Sequence, residues 1–423
     1  MTGNARGTLG AAALGAAAGV AAGLLLASGL VGAPVISDTP VYQGYGERMA
    51  AGQVPYRDFR VEYPPGALPV FLLPALVTSE PDGYDEVFAG LMIAALAALA
   101  ALTAVSLRLL GASGLRIGAA LATLAGGMLL LGPFTLTRFD LVPALVAAAA
   151  VTMALAGYER LGAAVLGAAV ATKLYPAVLL PLFVARSWRR HGRAAGLRTL
   201  ALTAGVTVLV YLPFAAIAPR GVTRSVWQQI GRPLQIESLG SATLLALHHV
   251  FAMPLGWASS HGSQNLTGTI AAVASAATTV AGVVALVWVW VAYARGEAGG
   301  ERLVRFAAAA VVAFVAFGKV LSPQFLVWLL PLVPLVAGRR GAVASGLLVL
   351  ACGLTRLWFP GDYWALVKQF DERASWLVLG RDLALVALFA LLVAPGRSTS
   401  AGSTARARVP ARSRWRAPSP GRT

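Results

Sequence analysis

The chain has 423 residues, 58% hydrophobic and only 12% charged, with a mean hydropathy of +0.73. A soluble globule carries about 25% charged residues, so the composition excludes one and specifies an integral membrane protein. The net charge of +17, from 34 basic and 17 acidic side chains, would suggest nucleic acid in a soluble protein; here it must first be mapped onto membrane topology.

The first apolar run, residues 9–32, exceeds the ~20 residues that span a bilayer. It is also longer than the ~7–15 of a signal-peptide core, so it is predicted to be a span. A polar loop follows over 34–65, within a longer first extracytoplasmic region of 34–85. Further apolar segments fall near 86–110, 116–134, 139–157, 161–174, 176–187, 197–218, 265–294, 303–319, 323–338, 341–359 and 374–394. The expected fold is an all-α polytopic membrane protein, a bundle of about 11–13 transmembrane or re-entrant helices over 1–395. Its extracytoplasmic loops, including the second large one at 219–264, should carry short interfacial helices. The tail, 396–423, has seven arginines and nothing to bury, and is predicted to be disordered and weakly attracted to anionic lipid. The single cysteine, Cys352, sits in an apolar run and permits no intramolecular disulfide.

Two pairs of short segments break at prolines, Ala163 to Arg186 near Pro176 and Phe306 to Gly338 near Pro323. Broken helices at membrane depth are tolerated where the freed backbone lines a cavity, so both bends point to a site. Arginine-rich short loops stay cytoplasmic. Residues 186–193, Arg339-Arg340 and the tail should therefore share the cytoplasmic side with the N-terminus, in a multi-pass plasma-membrane topology. Most acids then fall outside, and with them the candidate chemistry.

Asp38 follows the first span at a height where a carboxylate is partly desolvated and can serve as a general base. An ordinary loop acid, or one that starts a short helix, competes evenly with that reading. Asp58 and Glu62, flanked by Arg57 and Arg60, read first as an ion-pair network. Only three of the basic residues are lysines, and two of them, Lys173 and Lys319, occupy the proline bends. A lysine at membrane depth is a functional hypothesis by default, with snorkelling as the alternative, and a lipid phosphate is a natural partner for its ammonium. Arg138 offers another cation, or pairs with its neighbour Asp140. In the long loop, Arg232 could meet phosphate while Gln235 and Glu237 bond sugar hydroxyls; a capped interfacial helix beginning near Ser238 competes. Of the adjacent His248 and His249, at most one faces a site, which argues against a metal pair. No Walker, Rossmann, zinc or nucleophile-elbow pattern is present. A nucleotide-sugar domain is also missing, so a transferase of this kind would draw its donor from the membrane.

Asp38-Thr-Pro-Val-Tyr42, Gly52 to Phe59, Glu62-Tyr-Pro-Pro-Gly66, Arg138-Phe-Asp140, Lys173-Leu-Tyr-Pro176, Arg232 to Ser238 and Ser322-Pro-Gln324 together resemble glycosyltransferase family 87, the GT-C-type, polyprenol-phosphate-mannose-dependent mannosyltransferases. The resemblance implies an inverting transfer of a sugar, mannose in that family, from a polyprenyl phosphate to a glycolipid or envelope-glycan hydroxyl at the outer face. It implies Asp38 as the catalytic acid–base residue, with His248 or His249 as the histidine that shares this role in related enzymes. Lys173, Arg138, Arg232 and Lys319 would then hold the donor phosphate, and Tyr42, Asp58, Glu62, Gln235, Glu237 and His248 would orient sugar or acceptor. No metal, other cofactor or nucleic acid is expected. The rival function is a transporter or flippase of a lipid-linked precursor, which would also use broken helices and midplane charges.

Overall fold

The computed structural model describes residues 2–32 and 36–395, so the predicted tail lies outside the described residues. Helices dominate. Among the described residues six are long and apolar enough to cross a membrane, namely Ala5–Ala27 within α1 (Thr2–Ala27), α4 (Pro81–Leu109), α5 (Gly114–Leu131), α9 (Arg193–Ile217), α12 (Thr269–Ala294) and α16 (Glu372–Val393). This is an all-α polytopic membrane protein. Around these spans pack α6 (Leu141–Leu155), α7 (Glu159–Thr172), α8 (Leu180–His191), α13 (Gly300–Ala316) and α14 (Gly338–Arg356).

The buried core runs through α4, α6 and α13, whose alanine- and valine-rich faces allow close approach. Helix α1 lies along α4, and a Cβ at Gly15 or Gly19 would come within 2.5 Å of Ala100 O or 2.6 Å of Ala97 Cα. With no hydrophobic drive between helices inside lipid, such small-residue contacts carry the association. By contrast, α9 exposes Val208, Leu209 and Leu212, as a lipid-facing helix should.

The first proline bend forms as expected: α7 stops at Thr172, a 3-10 turn covers Tyr175–Leu179, and α8 begins at Leu180. Pro176 cannot continue the helical hydrogen bonding. The second differs from the expected helical hairpin. After α13 the chain passes through 3-10 turns at Pro323–Trp328 and Val333–Leu335. Pro331 and Pro334 break what would otherwise be an apolar helix there.

The two long loops, 34–85 and 219–264, hold short helices. The first contains α2 (Thr39–Ala50), the short helix that Asp38 could start, and the apolar α3 (Leu68–Val77). The second contains α10 (Pro219–Ile230), α11 (Leu239–Phe251) and a hairpin of β1 (Gly256–Ser260) with β2 (Ser263–Thr267). Ser238 caps α11 by accepting from Ser241 N–H, as the capped-helix reading anticipates. Residues 234–236 run beside the hairpin: Ile236 N–H donates to Gln264 O at 3.0 Å and Leu266 N–H to Leu234 O at 3.0 Å. At the other end of the bundle, Arg186 donates to Ala298 O and Arg116 to Leu335 O, so the basic segments 186–191 and 337–340 gather around the start of α13.

Candidate active site

Asp38 occupies the N-cap position of α2 but makes no side-chain cap bond. Its carboxylate turns instead to Arg138, which pairs with Oδ2, and Tyr42 Oη approaches the same oxygen at 3.4 Å. Oδ1 accepts no hydrogen bond among the described residues. Burial raises the Asp38 pKa, and the charge of Arg138 opposes that rise. A half-buried carboxylate with one oxygen held by a cation and the other open can receive a proton.

Arg138 therefore does not pair with its neighbour Asp140, the alternative that adjacency suggests. Asp140 turns to Lys173, with Nζ to Oδ1 at 2.6 Å, and also accepts from the Trp328 indole N–H at 2.8 Å. The two acids and two cations are thus cross-paired, each bridging the first outer region or the α5–α6 turn to a partner elsewhere. Lys173 sits at the C-cap of α7, above the faces of Phe139 (4.7 Å), Trp328 (4.9 Å) and Phe325 (5.5 Å). Aromatic faces favour a cation, and Tyr175 and Phe325 stack on Trp328 to hold the cage in place. The Lys173 ammonium has one acid partner and spare donors.

Close packing sets the position of Lys173. A Cβ on Gly66 would stand 2.6 Å from Ala171 O, so only glycine lets the Tyr63-Pro-Pro-Gly66 segment lie on the end of α7. Tyr42 is buried and stacks on Phe71 at 4.4 Å, with Tyr63 and Phe139 edge-on. It is a wall of the site as much as a polar group.

Arg232 lies in the electrostatic field of Glu62, Glu237 and Asp38, and acts on Lys173. It has no hydrogen-bond or ion-pair partner among the described residues, and its Nε is buried without one. Glu237 is 2% exposed, accepts from Gln235, and has its pKa pushed up to about 7 by burial. Gln235 also donates to Ser322 Oγ at 2.8 Å, joining this loop to the second proline bend. Glu62 receives the Gln228 amide at 2.9 Å, and its backbone oxygen receives Gln229, which fastens the first outer region to α10.

Three of the predicted residues stand apart. Asp58 bonds within its own turn, to Arg57 at 2.8 Å and Val54 N–H at 2.7 Å, as its ion-pair reading anticipates. Lys319 donates to Ile230 O at 2.9 Å, at the C-terminal end of α10, where a helix favours a cation. His248 Nδ1 meets Met253 O at 2.6 Å and its ring packs on Phe370, with no contact to Asp38, Arg138 or Lys173 among the described residues.

Sequence reasoning missed Arg381 and Asp382, paired at 2.6 Å and wholly buried in α16. Arg381 also donates to Glu237 O at 2.5 Å, which ties the last span to the site loop. Opposite charges side by side in a 22-residue apolar helix were the available signal. Among the described residues no three His, Cys, Asp or Glu side chains converge as metal ligands would.

The fold and the largely buried, cross-paired cluster of acids and cations define a polytopic membrane protein with ionised groups held away from water. A family model for glycosyltransferase family 87 matches residues 62–323, and the chain belongs to that family; it is a glycosyltransferase. The matched span contains Glu62, Arg138, Asp140, Lys173, Arg232, Glu237 and Lys319, whereas Asp38, Tyr42 and Asp58 precede it. No curated protein matches the sequence.

Proposed function

We propose that the chain moves a sugar from a polyprenyl phosphate to an acceptor hydroxyl, with inversion, at the outer membrane face, and that the sugar is mannose. The observation that carries this reading is the open Oδ1 of Asp38 beside the Arg138, Lys173 and Arg232 cations. The acceptor hydroxyl gives its proton to Oδ1 while its oxygen bonds to the anomeric carbon. The bond from that carbon to the phosphate oxygen breaks, and its electron pair leaves on the polyprenyl phosphate. Negative charge grows on the phosphate as the bond breaks, so cations fixed beside it stabilise the transition state selectively. Arg232, which has no partner to give up, and the spare Lys173 donors suit that role. Gln235 and Glu237 would orient hydroxyls.

An apolar groove of about 650 Å³ supports a lipid donor. Its lining includes Gly66, Pro69, Leu72, Ala168, Thr172 and Phe214, so it opens one residue from Lys173. The outer orientation rests on the arginine-rich segments at the opposite end of the bundle, and the same rule favours cytoplasmic termini. The acceptor would be a glycolipid or envelope glycan.

Membranes containing the protein should transfer labelled mannose from polyprenyl-phosphate mannose and not from a nucleotide-linked mannose. Transfer from the nucleotide sugar alone would overturn the proposed donor class.

A further inference from the structure

The end of the bundle remote from Asp38 holds a charged cavity. It measures about 300 Å³ and is lined by Glu301, Arg302, Arg305, Val336, Ala337 and Arg340. Helix α13 starts there and runs 17 residues toward the Lys319 bend, so the cavity is about 25 Å from the site end.

All three arginines are half-buried, whereas loop arginines that only mark topology extend into water. Arg305 feels the like charges of Arg340 and Arg302. It has no hydrogen-bond or ion-pair partner among the described residues, and its guanidinium lies over the face of Phe306 at 4.8 Å. Arg302 is fixed by donating to Ala292 O at 2.5 Å and by stacking at 4.6 Å on Phe306, while its Nε is buried without a partner. The one acid in the lining, Glu301, is taken by Arg116 at 3.0 Å. The cavity also meets the first turns of α13 and α14, and neither helix has a side-chain cap. Uncapped N-terminal amides add positive potential to that of the guanidiniums.

Like charges confined together cost free energy that a bound anion recovers, and guanidinium forks match phosphate oxygens. We propose that Arg302, Arg305 and Arg340, with the first turns of α13 and α14, form a binding site for a phosphate-ester anion, remote from the transfer site. The volume is several times the ~30 Å³ that one water occupies, enough for a phosphate and part of its ester. Two sources fit this chemistry, the headgroup of an anionic phospholipid and a soluble phosphate ester.

The full chain, purified in a neutral detergent, is titrated separately with phosphatidic acid and inorganic phosphate, with zwitterionic, net-neutral phosphatidylcholine as the control. Thermal unfolding and native mass spectrometry give the readout. Wild-type protein should be stabilised by at least one of the two anions. Arg305→Gln should weaken that binding about tenfold with sugar transfer unchanged. The exposed Arg189→Gln should leave binding as it was. Response to phosphatidic acid alone assigns a lipid headgroup, and response to inorganic phosphate assigns a soluble ester. Because Arg305 pairs with no acid, its removal strands no buried charge; should the glutamine variant misfold, Arg305→Lys keeps the charge, loses the fork, and should weaken binding severalfold. Equal binding by wild type and the Arg305 variants, or no binding of either anion, overturns the proposal.

Discussion

The two ends of the bundle treat their cations differently. At the site end Arg138 meets Asp38 and Lys173 meets Asp140, which leaves Arg232 as the surplus. At the other end Arg186 and Arg190 share the single carboxylate of Glu159, Arg116 takes Glu301, and Arg305 is left with an aromatic face. An exposed arginine at a membrane edge, such as Arg189, is the ordinary mark of insertion. A one-to-one pairing in a largely buried cluster is different, because desolvation makes each unpaired charge expensive. Arg232 and the half-buried Arg305 fit neither pattern, and it is these unpaired cations that the two proposals give an anion to hold.

The most direct way to break that contrast is Asp38→Asn. Transfer should fall about 10³-fold, within the range for loss of a general base, while the thermal transition stays close to wild type; normal turnover by a folded variant would show that the pairing at the site end serves structure alone. Next comes Lys173→Ala, which leaves Asp140 buried without its cation. The expected loss is about 3–5 kcal/mol of stability, read by denaturant unfolding in detergent, along with weakened use of the donor. The double variant Lys173→Met with Asp140→Leu should regain most of that stability and none of the activity. Regained activity would put Lys173 outside the donor site.

A smaller effect separates Glu237 from the paired acids. Its folded pKa of about 7 lies above its ordinary 4.5, so between those values the folded state holds more protons than the unfolded one. Stability should then fall as pH rises through that window. Glu237→Gln should flatten this slope, and an unchanged slope would assign it to another group. Smallest of all, Asp58→Asn should change kcat/KM less than about twofold, since exposed ion pairs contribute little and Asp58 serves its own turn. A large loss would bring Asp58 into the site.

Hydropathy and proline placement made most of the spans legible, because both act along the chain. The predicted segment 139–157 appears as Leu141–Leu155, and 374–394 as Glu372–Val393. The second bend was less legible: Pro331 and Pro334 turn an apolar run into buried 3-10 turns, which hydropathy cannot distinguish from a helix. At the site, residue types pointed to Asp38, Arg138, Lys173 and Arg232, and the structure gathers these four. Which acid meets which cation was not legible, since adjacency offered Arg138 with Asp140 as one of two even readings while the fold brings Lys173 there from 33 residues away. Arg381 and Asp382 were hidden by the apolar helix around them.

The strand-like passage beside the β1–β2 hairpin carries a consequence for length changes. Only Leu234 and Gln235 run extended there; residues 236–237 form a turn closed by Ser238 N–H donating to Gln235 O at 3.0 Å, and Leu234, Gln235, Ile236 and Glu237 are all buried. Substitution at one position alters one contact. Inserting one residue between Pro233 and Leu234 would shift the pairing with Gln264 and Leu266 by one and turn Leu234 toward the side that Gln235 now fills. Family members that vary this stretch should therefore do so by substitution.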